Sequence, residues 1–151
     1  MRTTHSESIT TFIEPRELPS FSGRPKTTPK KRRFDLLLVD DDPEQLLLFR
    51  LFLERAGYRV RVATSVEAAL HLLETTSLDC VISDLLMPWI GGDVLLQRIR
   101  NDWRFADLPV IVLTSGKPEL EFDALQSGAD MFCEKRRAEQ FLIPQIQLLL
   151  S

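Results

Sequence analysis

Three consecutive carboxylates, Asp40, Asp41 and Asp42, follow the apolar run FDLLLV and are themselves followed at once by Pro43. Adjacent carboxylates repel one another, and burying one without a partner is costly. Asp84 ends a second apolar run, Thr114 and Ser115 end a third, and Lys135 follows a fourth. Gathered in one place, these groups suit phosphoryl transfer. Clustered carboxylates ionise together when a cation offsets their charge, and Mg²⁺ takes hard oxygen ligands while keeping several waters. With a metal held by Asp41 and Asp84, Lys135 can neutralise one phosphoryl oxygen and Thr114 can donate a hydrogen bond to another. A carboxylate can also act as the nucleophile and become an aspartyl phosphate.

The patterning of the chain gives these residues a reason to meet. From Phe34 onward, short runs rich in Val, Ile, Leu or Phe alternate with amphipathic stretches. Strands are expected at Phe34–Asp40, Arg59–Ala63, Asp79–Asp84, Val110–Thr114 and Met131–Glu134, with helices at 43–56, 65–75, 92–101, 118–127 and 137–150. Such repeats imply a doubly wound α/β domain, a five-stranded parallel sheet with helices on both faces. Ligands bind such a sheet at the carboxyl ends of its strands, where these polar residues fall. Thr64 and Glu67 read as a capping box opening the second helix. Gly57 and Gly128 read as the stops of the first and fourth. Pro144 predicts a kink or a late start in the last helix. Asp42, before Pro43 and three residues ahead of Gln45, reads as the N-cap of the first helix, so only Asp40 and Asp41 are left for a metal.

Composition narrows the class. The 151 residues are 44% hydrophobic and 27% charged, the balance of a soluble globular protein. No apolar run approaches the ~18 residues of a membrane span, and no signal-peptide core is visible, so a cytoplasmic protein without membrane contact is expected. Cys80 and Cys133 lie singly in apolar segments and read as core thiols. Residues 1–33 carry eight Lys/Arg against three Asp/Glu, whereas residues 34–151 carry eleven against nineteen. The Pro/Ser/Thr-rich first part reads as a disordered basic tail, with 34–151 as the folded domain. Its Lys30–Arg33 run reads as a solvated flank, and no nucleic-acid partner is expected of an acidic domain.

The segments LLLVDDDPEQ, VISDLLMPWIGG, VIVLTSG and CEKRR, in this order and spacing, resemble the receiver domain of two-component response regulators, of the single-domain type. The resemblance implies a flavodoxin-like sheet of strand order 2-1-3-4-5. It implies that Asp84 is the phosphoacceptor, Asp41 a direct Mg²⁺ ligand, and Asp40 a ligand through a metal-bound water. The Leu86 carbonyl would complete the protein's share of the metal shell. Thr114 and Lys135 would contact the phosphoryl group, and Phe132 would be the aromatic that turns inward as Thr114 moves. The phosphodonor would be a histidine kinase or a histidine phosphotransfer protein. An unnamed downstream protein would read the fourth helix, fifth strand and fifth helix. On this reading the chain modifies itself and turns over no metabolite, so it is not counted as an enzyme.

Three features depart from the family pattern. Arg136 stands where a proline, often after a cis bond, usually follows the lysine; a trans bond and a reshaped loop are expected, with Lys135 still reaching the site. Leu86 is apolar where relatives often carry a polar side chain, and Gly116 is minimal, which predicts slow self-hydrolysis of the phosphoryl group. The first helix, LLLFRLFL, is unusually apolar. Leu48, Phe52 and Ala56 are expected in its buried stripe, leaving Leu46, Leu47 and Leu53 for a phosphodonor or a homodimer contact. Trp89 is a further candidate contact residue. Two rivals stand beside this reading. One is a receiver-like interaction module independent of phosphorylation. The other is a haloacid-dehalogenase-like phosphohydrolase built on Asp40 and Asp42, which leaves Asp84 unexplained.

Overall fold

A strand buried on both faces needs apolar residues at successive positions, and β1 (Asp35–Val39) supplies them as Leu36, Leu37, Leu38 and Val39, all fully buried. Successive side chains point to opposite faces. Leu36 and Leu38 join Leu46, Phe49, Leu53, Leu142 and Ile146 in one core layer, and Leu37 and Val39 join Leu73, Leu95, Leu96 and Ile99 in the other. Burying each such side chain contributes roughly 1.5–3 kcal/mol, so β1 anchors both layers.

The computed structural model describes residues 31–87 and 91–151. The tail reading for 1–33 therefore lies almost wholly outside the described residues, as does Trp89. After β1 come α1 (Pro43–Arg55), β2 (Arg59–Ala63), α2 (Val66–Thr75), β3 (Cys80–Asp84), α3 (Gly92–Asn101), β4 (Val110–Thr114), α4 (Pro118–Gln126), β5 (Met131–Glu134), a 3-10 turn (Lys135–Arg137) and α5 (Ala138–Leu149). The sheet is parallel throughout, in the order β2-β1-β3-β4-β5. The expected fold and strand order are therefore present. One core layer carries α1 and α5 residues, and the other carries residues of α2, α3 and α4. No helix among the described residues is long and apolar enough to cross a membrane.

Local expectations hold with three corrections. Gly57 and Gly128 both adopt φ of +102°, the left-handed conformation that ends a helix at little cost only with glycine. The second helix is capped by Ser65, whose side chain accepts from Ala68 N at 3.1 Å, and not by a Thr64–Glu67 box; the register is one residue later. In α1 the buried residues are Leu46, Phe49 and Leu53, while Leu47, Leu48 and Leu51 are 56–61% exposed. The expected stripe of Leu48, Phe52 and Ala56 is thus rotated, because a nearly continuous apolar helix does not reveal its own phase. The last helix runs through Pro144, which lies on the exposed face, where the carbonyl left without an N–H can be hydrated. Cys80 and Cys133 are buried free thiols, and burial pushes them up to about 12 and about 11 respectively.

Candidate functional site

The carboxyl ends of β1, β3 and β4 and the turn after β5 bring the sequence candidates together. Asp40 follows β1 and is buried, Asp84 ends β3 and is 7% exposed, and Thr114 ends β4 and is buried. One carboxylate oxygen each from Asp40, Asp41 and Asp84 lies within 4.8 Å of the other two, with Asp41 on the exposed side. Lys135 Nζ donates to Asp84 Oδ2 at 3.0 Å and to Asp40 Oδ2 at 3.3 Å. The second oxygen of each buried carboxylate takes a backbone donor: Asp40 Oδ1 accepts from Asp42 N at 3.0 Å, and Asp84 Oδ1 from Leu86 N at 3.2 Å.

The Asp42 carboxylate, unlike its backbone N–H, makes no hydrogen bond within the cluster. Its Oδ1 accepts from Glu44 N at 2.9 Å and caps α1, with Pro43 in the first helical turn. That charge suits the positive end of the helix. The Asp42 carboxylate thus serves the helix, while Asp40 and Asp41 lie in the cluster with Asp84. This role also removes one of the two acids on which a haloacid-dehalogenase reading depends.

The electrostatics show a site short of positive charge. Burial pushes the Asp40 carboxyl above its ordinary value, with Asp84 adding to the rise, against the Asp42 N–H and the Lys135 ammonium. Burial works against the Lys135 ammonium as well, yet Asp84 and Asp40 together hold its pKa above the ordinary value. One ammonium thus faces two buried carboxylates with a third at the rim, which is a donor set for a hard divalent cation. Mg²⁺ fits these residues through Asp40, Asp41 and Asp84, with the Leu86 carbonyl as the further oxygen the resemblance suggests.

Thr114 Oγ1 accepts from Gly116 N at 3.3 Å. Leu86 presents a 58% exposed side chain next to Asp84. Phe132 is half-buried, and its carbonyl accepts from Gln145 Nε2 at 2.9 Å. No cis peptide bond occurs among the described residues, and Lys135 begins a 3-10 turn in place of the proline-bearing loop. Two further residues shape the site without having stood out in the sequence. Gly92 opens α3 so close to β3 that a Cβ there would stand 2.2 Å from the Asp84 carbonyl; the Gly91–Gly92 pair was the available signal. Glu134, beside Lys135, gave no signal of its own.

The family model for the response regulator receiver domain matches residues 36–147. The chain belongs to this family of two-component signalling domains. It is 33% identical over 116 residues to a DNA-binding dual master transcriptional regulator, RpaA, of Synechocystis, covering 76% of this chain and 48% of that one. A crystal structure of the receiver domain of a signal transduction histidine kinase from Syntrophus aciditrophicus matches with TM-score 0.72 and 31% identity, over 78% of this chain and 90% of that one. The chemotaxis protein CheY4 of Vibrio cholerae matches with TM-score 0.73 and 26% identity, over 79% and 100%. The chain spans about half the length, or less, of the first curated relatives it matches.

Proposed function

We propose that Asp84 accepts a phosphoryl group from a phosphohistidine of a histidine kinase or histidine phosphotransfer protein, in a reaction that depends on Mg²⁺. The observation that carries this is the division of labour on Asp84. Its Oδ1 is tied to the Leu86 N–H and its Oδ2 to Lys135 at 3.0 Å, within a cluster of three carboxylates. A carboxylate oxygen of Asp84 attacks phosphorus, the bond to the donor imidazole breaks, and the imidazole leaves with the electron pair. Lys135 follows the charge from the carboxylate to the phosphoryl oxygens, and Thr114 donates its hydroxyl to another. Asp41 and Asp84, with Asp40 and the Leu86 carbonyl, would hold Mg²⁺, which would supply charge neutralisation.

The donor reaches the site past α1. Leu48, Leu51 and Phe52 line a groove with Lys135, Arg136 and Ala138, and Leu47 is exposed on the same helix. An apolar face of a helical donor fits this surface, now on Leu47, Leu48 and Leu51 and not on Leu46 and Leu53. The modified domain then changes which downstream partner it binds, with Phe132 on β5 as the reporting aromatic.

Asp84→Asn tests the acceptor. With acetyl phosphate and Mg²⁺, the wild-type chain should become labelled and the variant should not. Labelling that persists in the variant refutes the assignment.

A further inference from the structure

Glu134 is the last residue of β5 and pairs in register with Thr114. Its side chain is only 16% exposed, although it is a carboxylate. Two guanidinium groups hold it. Arg136 donates to Oε1 through Nε at 2.8 Å and also through Nη2, and Arg137 Nε stands 3.6 Å from Oε2. The carboxyl group lies where a side chain on residue 116 would be, since a Cβ on Gly116 would stand 2.6 Å from Glu134 Cδ. Gly116, at φ +89°, donates its N–H to Thr114 Oγ1 at 3.3 Å. Contacts therefore run from an exposed guanidinium, through Glu134 and the bare Cα of Gly116, to the hydroxyl at the end of β4.

We propose that Glu134 is a positioning residue for Thr114: drawn down by Arg136, its carboxylate clamps the Gly116 turn and keeps the Thr114 hydroxyl on the backbone. The inference rests on the phosphoacceptor reading above and adds a regulator of the same site. A shift of Thr114 toward a phosphoryl group on Asp84 stretches its contact with Gly116, and the clamp opposes that shift. A proline at position 136 would offer no such donor, so the departure at Arg136 is what makes the clamp. The guanidinium is also accessible from outside. Its side chain is 83% exposed and lines the groove that holds Leu48 and Glu139. A partner carboxylate that draws Arg136 away from Glu134 loosens the Thr114 turn, and by linkage an occupied site loosens Arg136 for the partner.

The test is calorimetric titration of the Mg²⁺-loaded chain with beryllofluoride, for wild type, Glu134→Gln, Arg136→Ala and the double variant. Each single variant should bind beryllofluoride about threefold more tightly, the scale of one exposed ion pair. The double variant should match the singles and not multiply them, because both remove the same link. Affinity for Mg²⁺ alone should stay unchanged. Unchanged or weaker beryllofluoride binding in the single variants overturns the clamp, as does a multiplied effect in the double. Wild-type beryllofluoride binding that survives Asp84→Asn overturns the acceptor reading instead, so the two failures are distinguishable.

Discussion

At the scale of single residues, the site works by under-compensation. Asp40 is raised by its burial despite the pull of Lys135, and Lys135 is raised by Asp84 and Asp40 against its own burial, so one ammonium does not offset the clustered carboxylates and a bound cation would ease their repulsion. On the proposed phosphoacceptor reading, Leu86 is the side chain placed to set how long the modification lasts. Its backbone N–H serves Asp84, but its exposed side chain offers nothing to orient an attacking water. Leu86→Asn should shorten the lifetime of the phosphoryl group several-fold, because an amide can hold that water beside Asp84. The decay of labelled protein after the donor is removed measures this, and an unchanged lifetime counts against a role for the side chain. The site aspartates, Thr114 and Lys135 were legible because each closes an apolar run. Glu134 was not, because its importance lies in a contact with Gly116 across two strand ends.

At the scale of elements, the loops beneath the site are fixed by one side chain. Arg100, near the end of α3, donates through Nε to Gly128 O at 2.8 Å and through Nη1 to Ala106 O and Leu108 O at 3.1 and 2.7 Å. Its Nη2 donates to Asp130 at 2.9 Å, and Asp130 Oδ2 also accepts from Val110 N. Arg100 therefore ties the segment before β4 to the turn before β5. Arg100→Ala should lower unfolding stability by about 2–3 kcal/mol, since partly buried carbonyls lose a charged donor. Urea denaturation measures it, and a loss below about 0.5 kcal/mol, the range of an ordinary surface change, contradicts this role for Arg100. Helix and strand existence was legible from period and punctuation. The phase of α1 was not, because LLLFRLFL is apolar on every side and only packing on the sheet chooses Leu46, Phe49 and Leu53. The Ser65 cap was missed for a similar reason: two adjacent hydroxyl residues both satisfy the capping rule, and the strand's end decides between them.

At the scale of the whole molecule, the sheet order was readable because five strand–helix repeats leave few topologies for a parallel sheet. The doubly wound architecture then carries Asp84, Asp40, Thr114 and Lys135 to one edge, and the match to the receiver family over residues 36–147 agrees with that arrangement. Partner choice is a property of surfaces, such as the groove beside α1, which mixes Leu48, Leu51 and Phe52 with Arg55, Arg136 and Glu139 and has no short motif. The central claim is that this edge makes an aspartyl phosphate. The most direct measurement is intact and peptide mass spectrometry of the wild-type chain after treatment with acetyl phosphate, with Mg²⁺ or with excess EDTA. The expected result is the mass of one added phosphoryl group, on the peptide that contains Asp84, only when Mg²⁺ is present. No addition with Mg²⁺, or an addition that maps to another residue, would contradict it.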